Sequence, residues 1–465
     1  MSICLSGLTT KVTENTLTIR VSEIHPLVRF ANALPWEELS ELVMADLRSS
    51  TAKKKWWTGR PLRLRIHLGA YLLQQLFNKT DRQIEYDIKD NAAYQIFCGC
   101  GIVKKWHCPD HTKIEEFRSR LSADTQQKCA NYLTIVASRL KFAQISKMDI
   151  DSTVQEANMS YPSDMNLLGK LGSKAKQVAD YVMKKSGVLK EAMPSVDLKK
   201  IKSQVRTIFF KKKSTPAQRR TLQRTLWRTV CSEVKPIIRF CEQLPADLLA
   251  SMPWNIQRLI TQVTTYAKEY LIDVASFIRH GVMQKGKLLA FHLQEVSCFN
   301  KNKLDKRLQF GRNIQLGRVD GNFLIVGSSD TIRQEDKQSI DSMLTLHAEL
   351  FGQNTLDSVT ADKGYYSKRN ENTLKAASVK EIGLQKPQQK KKNNTGVNQQ
   401  PISESLINRR AGIEPLIGHA KQKGQLGKSR MKSDVTTKSA AYASILGFNA
   451  RQLIRYLNGA TSLRT

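Results

Sequence analysis

Three short stretches of the chain carry carboxylates in settings suited to chemistry. Asp151 lies in Lys147-Met-Asp-Ile-Asp-Ser-Thr-Val154, Asp362 in Val359-Thr-Ala-Asp-Lys-Gly-Tyr365, and Glu414 in Arg409-Arg-Ala-Gly-Ile-Glu-Pro-Leu-Ile-Gly-His-Ala-Lys421. Carboxylates gathered at one point call for a cation. Two hard divalent ions side by side stabilise both the attacking and the leaving oxygen of an in-line displacement at phosphorus. Carboxylate oxygens suit Mg²⁺, which keeps several waters and takes few protein ligands. Asp151, Asp362 and Glu414 are therefore expected to form one site for two Mg²⁺ ions, with Mn²⁺ as the substitute.

Such a site needs rigid elements beneath it. Strict alternation over 147–154 reads as a buried strand with Met148, Ile150 and Ser152 on one face and Asp149, Asp151 and Thr153 on the other. Asp149 is thus the alternative ligand to Asp151. Arg312–Val319, a turn at Asp320-Gly321 and Asn322–Gly327 read as a hairpin. A helix over 332–351, a strand over 356–361 ending in Asp362, a helix over 367–377 and a strand over 379–385 follow, with Glu414 at or near a closing helix. This is the β-β-β-α-β-α-β-α order of a ribonuclease H-like α/β fold, in which the first and fourth strands are neighbours.

Glu414 and Lys421 are two helical turns apart and share a side if their helix is continuous. Pro415 leaves two readings open. It either begins a helix just after Glu414, or interrupts one that began earlier and also carries Arg410 on that face.

The 465 residues exceed one hydrophobic core, so two or three domains are expected. A net charge of +33, from 74 basic and 41 acidic residues, favours a polyanionic partner, and nucleic acid leads. No 18-residue apolar run and no signal-peptide pattern occurs, which predicts an intracellular, cytoplasmic protein associated with the nucleoid and not with a membrane. The eight scattered cysteines read as reduced, buried side chains. Cys98, Cys100, His107, Cys108 and His111 lack a common zinc spacing.

Helices are expected over 23–50 and 62–77, and again across 165–295, where Thr215-Pro216 reads as a cap followed by proline in the first helical position. Residues 386–401 are polar and lysine-rich and read as a loop.

Taken together, these motifs resemble a DDE transposase of a bacterial insertion sequence, of the InsH-like group. Asp151-Ser-Thr153 matches that group's D-[SG]-T strand, and Asp362-Lys-Gly-Tyr365 matches its D-x-G-Y. Arg410, Glu414 and Lys421 match Y-x2-R-x3-E-x6-K, with Ile407 in place of the tyrosine. The similarity extends through His25-Pro-Leu, Asp110-His-Thr and Phe117-Arg118. The 362 − 151 = 211 spacing is long for the group, whereas 414 − 362 = 52 is ordinary.

The resemblance implies an N-terminal helical DNA-binding domain at 1–143, a ribonuclease H-like catalytic domain at 144–164 and 296–465, and a helical insertion at 165–295. It further implies Mg²⁺-dependent cleavage of double-stranded DNA at terminal inverted repeats and strand transfer into target DNA by a homodimer. Arg410, Lys421, Lys423, Lys390, Lys391 and Lys392 would contact that DNA. A nuclease that cuts without joining, and an inactive DNA-binding derivative, are the alternatives.

Overall fold

The computed structural model describes residues 2–5, 17–51, 64–99, 108–185, 193–210, 215–281, 286–300, 308–328, 336–386 and 403–459. The chain opens with β1 (Ser2–Leu5) and β2 (Leu17–Arg20), an antiparallel pair. There follow α1 (Pro26–Ala33), α2 (Trp36–Thr51), α3 (Leu64–Phe77), α4 (Asp81–Asp90), α5 (Ala92–Phe97), α6 (His111–Arg120) and α7 (Ala123–Arg139). After β3 (Gln144–Glu156) come α8 (Asp164–Lys185), α9 (Leu198–Phe210), α10 (Pro216–Glu242), α11 (Ala246–Ser251), α12 (Trp254–Thr261) and α13 (Ala267–His280). The remainder is β4 (Ser297–Asn300), β5 (Leu308–Asp320), β6 (Phe323–Val326), α14 (Ile340–Phe351), β7 (Ser358–Ala361), α15 (Lys368–Ala376), β8 (Glu381–Leu384), α16 (Glu404–Ala411), α17 (Ile413–Gln422) and α18 (Asp434–Leu457).

The helix starts follow from local chemistry. The His25 ring accepts the Leu27 N–H at 3.2 Å, with Pro26 in the first helical position where its missing N–H costs nothing. Asp110 caps α6 by accepting from Lys113 N at 2.9 Å, and Phe117 on that helix is buried. Arg118 donates to both carboxylate oxygens of Asp81, so this pair ties α6 to α4.

Residues 1–158 and 298–465 make one compact unit, and 159–297 a second. The sheet of the first unit runs β4-β5-β3-β7-β8, with β6 also paired to β5. It is mixed: β3 is antiparallel to β5 and parallel to β7, which is parallel to β8. This mixed sheet flanked by helices is the α/β arrangement of a ribonuclease H-like core. Gly321 (φ +90°) and Asn322 (φ +63°) turn β5 into β6. Both adopt the left-handed conformation that glycine and asparagine tolerate.

The first unit's helices cover the two faces of the sheet. Met148, Ile150, Ile325 and Val359 pack with Ile340 and Met343 of α14. Leu316 and Leu324 share a larger core with α1–α7, α17 and α18. In α18 an unbroken run from Ala440 to Ala450 is buried, so this helix has no polar face that periodicity could reveal. β6 would expose an unpaired strand edge, and two buried amides close it. Asn449 accepts from Leu324 N (3.0 Å) and donates to Leu324 O (2.8 Å), while Asn131 accepts from Val326 N (2.8 Å) and donates to Val326 O (3.1 Å).

The second unit is helical throughout its described elements and has its own core, built from residues such as Leu171, Val178, Ile201, Val230, Ile237 and Tyr270. Its α10 begins with Thr215 accepting from Gln218 N, with Pro216 first in the helix.

Several elements differ from expectation. β1, β2, β4 and α18 were not anticipated. The expected helix at 332–351 appears as a 3₁₀ turn, Asp336–Gln338, and then α14, while 329–335 lie outside the described residues.

Candidate active site

The parallel ladder between β3 and β7 sets the first two carboxylates. Ile150 is registered with Ala361, so Asp151 and Asp362 are the next residues along two adjacent strands. Asp151 is half-buried and its Oδ1 accepts from Ser152 N at 2.7 Å. Asp362 ends β7, where its Oδ1 accepts from Lys363 N at 2.7 Å and caps the 3₁₀ turn Lys363–Tyr365.

That turn explains the rest of the Asp362 motif. The ring of Tyr365 is buried and its hydroxyl donates to Gln315 Oε1 on β5 at 2.7 Å. Burial pushes the phenol well above its ordinary range, and the negative charges of Asp336 and Asp151 add to the effect. Asp336 itself accepts from Asn313 and Gln315 at 3.4 Å each. It is a fourth carboxylate beside this turn that no sequence signal pointed to.

Glu414 comes from the α16–α17 junction. Pro415 has no N–H to give the Ala411 carbonyl, and the helix breaks at Gly412 and resumes at Ile413. Of the two readings of Pro415, the interrupted helix is the observed one. The last turn of α16 therefore presents Arg410 beside Glu414. The Arg410 Nη1 donates to Asp362 Oδ1 at 2.8 Å, and its Nη2 donates to Glu414 Oε1.

The neighbouring arginine faces the sheet. Arg409 Nε donates to Asp149 Oδ1 at 2.8 Å and its Nη1 to Ser358 Oγ at 2.7 Å. Thr360 Oγ1 also donates to Asp149 Oδ1 at 2.7 Å, and Arg318 Nη1 lies 3.5 Å from Asp149 Oδ2. Arg318 also donates to the Arg409 carbonyl at 3.0 Å. A β-carbon on Gly412 would overlap this guanidinium, which is why the break falls on glycine. Asp149 is thus buried and fully engaged, holding α16 to the sheet.

Lys421 and Lys423 follow on α17 and at its C-cap, half-buried and exposed respectively. Ile407 lies on α16 one turn before Arg410 and is 39% exposed. Lys390, Lys391 and Lys392 fall outside the described residues.

The donor set is chemically right for a hard cation, because all three proposed ligands are carboxylates and Asp362 and Glu414 already share one cationic group, the Arg410 guanidinium. Among the described residues, however, no three of His, Cys, Asp and Glu converge closely enough to hold an ion in this conformation. Cys98, Cys108, Cys129, Cys231, Cys241 and Cys298 are in no disulfide.

Comparison with known proteins adds one finding. Residues 15–120 match the family model described as "Transposase domain (DUF772)", which supports a transposase of an insertion sequence. No curated protein and no solved structure matches the chain.

Proposed function

We propose that this chain is a DDE-type DNA transposase that cleaves double-stranded DNA at terminal inverted repeats and joins the freed ends to target DNA. The observation that carries the reading is the placement of Asp151 and Asp362 side by side on the neighbouring strands β3 and β7, with Arg410 joining Asp362 to Glu414, in a chain whose N-terminal part matches a transposase domain. Asp151, Asp362 and Glu414 would hold two Mg²⁺ or Mn²⁺ ions. When bound, such ions supply a Lewis acid for the phosphoryl oxygen and lower the pKa of the attacking water or 3′ hydroxyl.

The protein's own groups do the positioning. Asp149, Arg409 and Arg318 dock the α16–α17 break against the sheet and so aim Glu414. Tyr365, bonded to Gln315, holds the turn behind Asp362. Arg410, Lys421, Lys423 and the lysines 390–392 meet the phosphates of the duplex. Chromosomal DNA as substrate places the activity in the cytoplasm, and pairing of two DNA ends favours a homodimer in the complex.

Single, double and triple Asn or Gln variants at Asp151, Asp362 and Glu414 test the reading, because groups acting as one unit are non-additive. All are expected to lose Mg²⁺-dependent cleavage of terminal-repeat DNA to a similar extent while still binding it. Full activity in Glu414→Gln would refute the triad. Cleavage without joining in the unmodified protein would identify a nuclease instead.

A further inference from the structure

The second unit holds a feature that the phosphoryl-transfer chemistry does not use. From Leu198 to Ser232 the sequence contains no Asp or Glu. Helices α9 and α10 run antiparallel within this stretch: Asp197 N donates to Glu233 Oε2 (2.7 Å) and Gln204 Nε2 to Thr229 Oγ1 (3.1 Å), so rising numbers on α9 meet falling numbers on α10. The end of α9 and the start of α10 therefore form the tip of a helical hairpin.

That tip has almost no core of its own. Ile201 is the only buried residue of α9, and α10 buries none before Leu226. Lys199, Lys202 and Arg206 lie near helical spacing along one side of α9 and are exposed, as are Arg219, Arg220 and Arg224 on the first turns of α10. Two aromatic rings end α9, with Phe209 44% and Phe210 82% exposed. An isolated exposed side chain needs no explanation, but paired phenylalanines at the apex of an acid-free basic hairpin do. Like charges at this density repel one another unless a polyanion neutralises them.

We propose that the α9–α10 tip binds a DNA strand with unpaired bases, its cations on the phosphates and Phe210 stacked on a base. A base offers the ring a flat apolar face whatever its identity, and stacking platforms flanked by cations are how proteins hold single strands. An anionic membrane could also attract a basic, aromatic tip. The composition favours nucleic acid, because the cations of α10 up to Arg228 are all arginines, whose fork matches phosphate, and the exposed positions beside them include Gln218, Thr221 and Thr225. The proposal borrows from the transposase reading only its choice of nucleic acid.

Full-length protein is titrated by fluorescence anisotropy against a blunt duplex, the same duplex carrying a short single-stranded tail, and labelled vesicles of phosphatidylserine and phosphatidylcholine. The unmodified protein is expected to prefer the tailed duplex. Phe210→Ala should reduce that preference about tenfold, while Phe210→Tyr, which keeps a ring, should retain it. Arg206→Gln and Arg220→Gln should weaken binding to the tailed duplex and lower its log-log salt slope by roughly 0.7–0.9 each. All four variants change exposed side chains and should melt with the unmodified protein. An unchanged preference in Phe210→Ala, an unchanged salt slope in both arginine variants, or tighter binding to vesicles than to DNA would overturn the proposal. Loss of cleavage with this preference intact would instead count against the metal site alone.

Discussion

Arg410 occupies two of the carboxylates that a divalent ion would need, and removing its charge gives a direct measure of that competition. The guanidinium binds Asp362 Oδ1 at 2.8 Å and also Glu414 Oε1. At 2.8 Å two unit charges attract by about 1.5 kcal/mol even in bulk water. The side chains of Asp362 and Glu414 are 52% and 60% exposed, however, and measured pairs of this kind contribute about 0.2–1 kcal/mol after solvent screening and side-chain entropy. The measured range should decide. Two pairs then hold Arg410 in place by about 0.4–2 kcal/mol, so Arg410→Met should tighten Mn²⁺ binding to the DNA-free protein roughly 2- to 30-fold. Methionine keeps an unbranched apolar stem and removes the charge. Titration calorimetry or the loss of free Mn²⁺ signal in electron paramagnetic resonance measures the affinity, with Asp362→Asn as the control that should weaken it. The same Arg410→Met variant should lose affinity for duplex DNA, with a salt slope smaller by about 0.9. Equal or weaker Mn²⁺ binding in Arg410→Met would show that the guanidinium organises the carboxylates instead of competing for them, and the reasoning would fail.

Three further outcomes follow from the geometry. Asp149→Asn leaves Arg409 and Arg318 beside an uncharged, buried amide and should destabilise the fold by about 3–5 kcal/mol; Asp151→Asn should abolish cleavage with little change in melting temperature, and thermal melts beside cleavage assays compare the two. Tyr365→Phe removes the buried hydrogen bond to Gln315 and should lower stability by about 1 kcal/mol in urea unfolding, a loss near zero counting against its role behind Asp362. Glu85, bonded by Lys89 and then His111, has its carboxyl held down at about 2. A depressed acid stabilises the fold above its unfolded pKa and loses that contribution as the pH falls through its folded value, so stability should decline from about pH 4.5 toward 2, and Glu85→Gln should flatten that part of the curve.

Much of the sheet could be read locally, because alternation and turn residues act over a few positions. Met148 and Ile150 face a core because every second residue of a strand must. The β5–β6 turn was marked by Asp320-Gly321-Asn322, since few other residues accept positive φ at successive positions. The α18 helix is buried on every side through its middle, so its sequence shows no amphipathic stripe.

The residue types of the site were also visible in the sequence: three acids in distinct motifs, an arginine four positions before the third, and a proline that had to disturb its helix. What each group touches was not. Asp149 and Asp151 lie on the same side of an idealised strand, and alternation cannot say which one is buried. That was decided by Arg409, 260 residues away, and by Arg318 on the neighbouring strand. Arg410 meets Asp362 across 48 residues only because the helix breaks at Gly412 over the Arg318 guanidinium. Spacing along the chain determines which side chains a short element presents together; long-range packing, through the space and hydrogen bonds it leaves, determines which of those side chains is sealed in and which remains open to a ligand.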